Sequence, residues 1–238
     1  MKKTVYIVWL FVLVVLFVLT LPYLWYILKV IFIPKNGEFW GQEKIYLWMS
    51  VGVLSFALLR LLLKTNLRFA ETFSHELTHA IVALFLRRRV HSFHVEDSGA
   101  GVIFTSGDSS YTLVPVALAP YCLPIFTYML LSVRWLMNPN GLWIFDILIG
   151  MTLCFHYYCF KTQIGNHQTD INQYPLSFSY FYIVTAWIIN LCIILVSIFP
   201  NMNMNEQGST WKYGVFSSLW RLCSEWLDNL LYFFHGFQ

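Results

Sequence analysis

The chain has 238 residues, of which 58% are hydrophobic, 19% aromatic and only 11% charged. Soluble domains carry about 25% charged residues, so this composition excludes an ordinary water-soluble domain and makes a lipid bilayer the expected solvent. The formal net charge of +3 comes from scattered basic residues and gives no footing for a nucleic-acid partner.

A membrane-spanning helix needs about 20 mostly apolar residues. In chain order, that length picks out 4–33, 45–63, 68–87, 111–132, 141–162 and 174–199. The expected fold is therefore an all-α polytopic membrane protein with about six transmembrane helices. The first segment has a basic tip but no A-x-A-like cleavage site, and its apolar run continues to Ile33, so it reads as an uncleaved anchor, tilted or bent at Pro22. The third contains ETFSHELTHAIVALFL, residues 71–86. After it, VHSFHVE and GVIFTS flank DSGAG, the pattern of a short β-hairpin. The fourth holds Pro115, Pro120 and Pro124, which predicts a kinked or partly unwound helix packed against protein or a wet cavity. Beyond the sixth, Trp211, Val215, Leu219, Leu222, Trp226 and Leu230 recur at helical spacing in a polar-flanked tail, which suits an interfacial or a packing helix. The five cysteines sit mostly in apolar runs without zinc-ribbon or disulfide spacing and read as small core residues.

The polar residues of the third segment demand a reason. An ionised side chain near the bilayer centre costs at least about 2.5 kcal/mol, and such groups usually mark function. His75 and His79 lie four residues apart, so a helix brings both to one face, and Glu76 stands beside them. This is the spacing with which a zinc hydrolase holds its ion on two neutral imidazoles, while the carboxylate takes a proton from the attacking water.

HELTHA in an apolar helix, followed by a short hairpin, resembles the site-2 protease family of intramembrane zinc metallopeptidases, in particular its small bacterial members. The resemblance covers about residues 66–175 and rests on the zinc motif. It implies zinc as cofactor, cleavage of a peptide bond in or near a transmembrane segment, and a bacterial inner membrane. It also implies His75 and His79 as ligands, Glu76 as general base and an aspartate from a later helix, after an Asn/Pro turn, as the last ligand. Asn138 and Pro139 precede Asp146 in that way.

Two aspartates compete for that place. His75 lies about seven residues into its span, roughly 10 Å deep at 1.5 Å per residue. If the fourth span crosses back, the fifth starts on the same surface and brings Asp146 to nearly that depth. Asp146 is thus the expected third ligand and Asp170 the alternative, with His156 and Glu71 the remaining candidates. Asn138 could donate to an oxyanion or simply serve its turn. The expected domains are 1–64 (N-terminal transmembrane helices), 65–165 (metalloprotease core with hairpin at 88–109), 166–200 (C-terminal transmembrane helix) and 201–238 (amphipathic tail). The expected partners are a membrane protein or peptide substrate and the lipid bilayer. The competing reading is a non-proteolytic membrane scaffold with a closed structural metal site. A metal or proton transporter would need further intramembrane carboxylates.

Overall fold

The computed structural model describes residues 3–32, 43–63, 67–95, 101–106, 110–136, 141–165 and 168–198. Asn138, the hairpin turn and the 201–238 tail lie outside them. The helices are α1 (Lys3–Phe32), α2 (Glu43–Leu63), α3 (Arg68–Phe85), α4 (Leu113–Leu118), α5 (Ile125–Arg134), α6 (Leu142–Gln163), α7 (Thr169–Asn172) and α8 (Leu176–Ile198). Strands β1 (Arg89–Val95) and β2 (Gly101–Ser106) form an antiparallel pair between α3 and α4. α1 continues through Pro22.

Each of the six predicted segments contains helix, but they do not make six equivalent spans. Among the described residues four helices are long and apolar enough to cross a membrane, and a fifth span arises if α4 and α5 are joined across their 85° bend. α3 is not among them. Its two histidines and two glutamates lower its hydropathy, and its burial is inverted: Ser74, His75, Glu76, Thr78 and His79 face the protein, whereas Leu84 and Phe85 are exposed.

α2 and α6 run side by side in the same direction. Trp48 meets Trp143, Phe56 meets Phe155, and the Arg60 guanidinium donates to the Tyr158 hydroxyl. Two glycines permit the contact. A Cβ on Gly52 would lie 1.9 Å from the Ile147 carbonyl oxygen, and one on Gly150 would lie 2.2 Å from that of Met49. Lipid supplies no hydrophobic drive between helices, so close backbone approach at small residues gives the contact its dispersion energy.

The prolines break the fourth segment as its sequence predicts. A 3₁₀ turn, Ala119–Tyr121, follows α4, and α5 begins after Pro124. The break leaves carbonyls without helical partners, and α8 supplies the donors: Trp187 Nε1 bonds the Tyr121 carbonyl at 2.9 Å and Asn190 Nδ2 that of Cys122 at 3.1 Å. Irregular backbone survives in such a setting when protein groups satisfy it.

α3 ends in a Schellman turn. The Arg87 amide bonds the Leu84 carbonyl, the Arg88 amide bonds that of Ala83, and Arg87 takes a left-handed φ of 57°. The reversal lays the hairpin back along α3, with Phe93 edge-on to Phe73 at 6.0 Å. Strand register pairs Phe93 with Ile103 and is irregular between Val90 and Ser92.

Candidate metal centre

The i, i+4 spacing in α3 places the rings of His75 and His79 4.8 Å apart. Both residues are nearly buried, at 9% and 5% exposure. Each ring is anchored through Nδ1. That of His79 lies 2.7 Å from the Val116 carbonyl oxygen in α4, and that of His75 lies 3.0 Å from Gln163 Oε1 at the end of α6. Oxygen acceptors at both Nδ1 atoms place a proton there, so in the neutral rings each Nε2 presents a lone pair. Metal-binding histidines are commonly oriented in this manner.

Both Nε2 atoms point at one oxygen. Asp170 Oδ2 is 3.3 Å from His75 Nε2 and 3.3 Å from His79 Nε2. Asp170 sits in the single turn of α7, which is pinned by the fully buried Ile171 and by a 2.9 Å bond from Ser179 to the Ile171 carbonyl. Burial opposes the charge of Asp170, but hydrogen bonds and positive charge from the two imidazoles outweigh it and hold the carboxyl below its ordinary range.

With both Nδ1 atoms protonated, two imidazole lone pairs and a carboxylate oxygen repel one another unless a proton or a metal cation stands among them. The three donor atoms lie within 4.8 Å of each other. Donors held about 2.0–2.1 Å from a tetrahedral ion are spaced roughly 3.3–3.4 Å apart, which both His–Asp distances match. The three groups are therefore close enough to share one small cation. No fourth His, Cys, Asp or Glu joins the cluster among the described residues. Glu76 is 8% exposed and feels the charges of His75, His79 and Asp170.

Asp146 does not stand with the histidines, so the depth argument that favoured it is corrected. Its Oδ1 accepts a 3.0 Å bond from Arg134 Nε in a largely buried ion pair. The error lay in assuming that the fourth segment crosses straight back. It breaks before Pro124, and α5 then runs antiparallel to α6, with Thr127 against Thr152 and Arg134 against Asp146. It is consequently the last residue of α6, Gln163, that reaches His75, and the short α7 beyond it carries the aspartate. Glu71 accepts from the Thr162 hydroxyl at 2.9 Å, and His156 packs on Trp187 at 5.1 Å. Sequence reading missed Gln163 and the Val116 carbonyl. The polar run GNHQTDINQ directly after α6 was the available signal for a site at that end.

A family model described as Peptidase M50B-like matches residues 45–236. No curated protein matches the chain, and no solved structure does. The match covers most of the sequence and takes in the metal-site residues as well as three of the four apolar helices, in keeping with an integral membrane protein. The chain belongs to the Peptidase M50B-like family, a site-2 protease-like group of membrane metallopeptidases.

Proposed function

We propose that this protein is a membrane-embedded zinc metalloprotease that hydrolyses peptide bonds in or near transmembrane segments. The observation that carries the reading is the convergence of His75 Nε2, His79 Nε2 and Asp170 Oδ2, with Glu76 alongside. His75, His79 and Asp170 would hold the zinc ion, Asp170 replacing Asp146 as the expected third ligand. When bound, zinc supplies a Lewis acid that lowers the pKa of water to about 7 and polarises a carbonyl.

The chain's own residues provide the rest. Gln163 and Val116 hold the imidazoles in the tautomer that leaves Nε2 free. Glu76 takes the proton from the attacking water and returns it to the leaving amine. The two-stranded hairpin along α3 offers a strand edge on which an extended substrate segment can form main-chain hydrogen bonds. Substrate is thus a membrane protein or peptide, and the resemblance to small bacterial members supports a bacterial inner membrane.

A closed structural site in a scaffold would need a fourth protein ligand. Neither Glu71, which accepts from Thr162, nor His156, which packs on Trp187, stands with His75, His79 and Asp170 among the described residues. A transporter would need a line of uncompensated carboxylates, and Asp146 is neutralised by Arg134. Glu76→Gln tests the protease: metal analysis should still find zinc, while cleavage of detergent-solubilised transmembrane peptides falls by at least about 10²-fold. Full cleavage by that variant removes Glu76 from the mechanism.

A further inference from the structure

Tyr121 is fully buried, yet its hydroxyl has no hydrogen-bond partner. A buried phenol normally finds one, and phenylalanine would fill the same space without the cost of an unpaired polar group. The surroundings account for its place. The tyrosine ring stands edge-on to His75, with centroids 5.3 Å apart and planes at 82°. Its phenol lies close enough to Asp170 and Glu76 to feel both charges. From behind, Trp187 Nε1 holds its carbonyl at 2.9 Å, and Val114, Leu118, Ile171 and Phe178 share its core cluster. The break before Pro124 thus fixes a rigid side chain with a spare donor beside the metal ligands.

We infer that the Tyr121 hydroxyl is the oxyanion donor of this site, contacting the substrate carbonyl oxygen as it becomes tetrahedral. The inference rests on the proposed protease reading. As the water oxygen bonds to the carbonyl carbon, its proton passes to Glu76 and the C=O electron pair moves onto the carbonyl oxygen. Tyr121 donates a hydrogen bond to that oxygen and keeps its own proton. When the C–N bond breaks, the pair re-forms the carbonyl and the amine leaves with the proton from Glu76. A donor already in place costs no reorganisation when charge develops, and this makes such groups effective. The sequence offered Asn138 for this task, but that residue lies outside the described residues.

The test compares zinc-loaded wild-type protein, Tyr121→Phe and Glu76→Gln in detergent. The probes are an apolar phosphonamidate dipeptide, whose tetrahedral oxygens imitate the adduct, and the corresponding planar amide. Tyr121→Phe should keep wild-type zinc content, unfold at the same temperature or higher, bind the amide equally and bind the phosphonamidate about 10²-fold more weakly. Equal phosphonamidate affinity in the two proteins overturns the role, as does loss of zinc from Tyr121→Phe, which would make the residue a support for the metal. If zinc-loaded wild-type protein binds the amide and the phosphonamidate equally, the hydrolytic reading fails and this role fails with it.

Discussion

The two ends of α6 each lie beside a carboxylate largely withdrawn from solvent, and the chain uses the two in opposite ways. Near the start, Asp146 meets Arg134 at 3.0 Å, so its charge is neutralised by a fixed cation that occupies the space an ion would need. Beyond the end, Asp170 meets two imidazole nitrogens at 3.3 Å each, groups that can release a proton and share a metal. Burial alone does not separate the two aspartates, since both are largely withdrawn from solvent. What separates them is whether the neighbour is permanently charged, as arginine is, or can become a neutral ligand, as histidine can.

Asparagine at each position tests this contrast most directly. Asp170→Asn should lower zinc affinity by at least about 10²-fold and abolish cleavage, because the amide brings no charge to the ion. Asp146→Asn should retain zinc at the wild-type ratio. Metal analysis of the two purified variants reads the difference, and loss of zinc only from Asp146→Asn would reverse the assignment.

Stability probes the same two carboxylates from the other side. Asp146→Leu strands the Arg134 guanidinium and should cost about 3–5 kcal/mol, whereas Asp146→Leu combined with Arg134→Met should recover most of that loss. Denaturation in mixed micelles measures both. Equal destabilisation by the single and double variants would show that the pair does not act as a unit.

A smaller effect is expected behind the metal. Gln163→Leu removes the acceptor at His75 Nδ1 and should weaken zinc binding by about 10–100-fold without removing a ligand. Competition with a chelator of known affinity gives the value, and an unchanged affinity would mean that Gln163 does not orient the ring. The smallest effect belongs to the reversal after α3. Arg87→Gly relieves a left-handed residue at φ 57° and should raise stability by about 0.5–1 kcal/mol, with zinc content unchanged. A fall in stability would show that the arginine side chain contributes more than its backbone costs.

Much of this site is legible in the order of residues alone. The apolar runs indicate the polytopic helical class, the turn-bearing segment after α3 indicates the hairpin, and the three prolines indicate the broken fourth segment. His75, Glu76 and His79 can be read together because a helix turns through a constant angle per residue, whatever surrounds it. The count of spans is less legible, because length and apolar run do not reveal that α3 turns its polar face to protein and carries too many ionisable groups to qualify by composition. Gln163 gives little warning, since a polar residue at a helix end usually meets water.

The class of protein, the helix that carries the histidine pair and the type of ion those residues suit all follow from the sequence. Which aspartate meets the two histidines, and which tyrosine packs edge-on to His75, follow from the path of the chain in space. Local periodicity is set by backbone geometry, but Asp170 lies 91 residues beyond His79, and its arrival depends on the path through the break at Pro124 and the return of α6. That path is chosen by packing: glycines that admit α2 against α6, and side chains of α8 that satisfy the broken backbone.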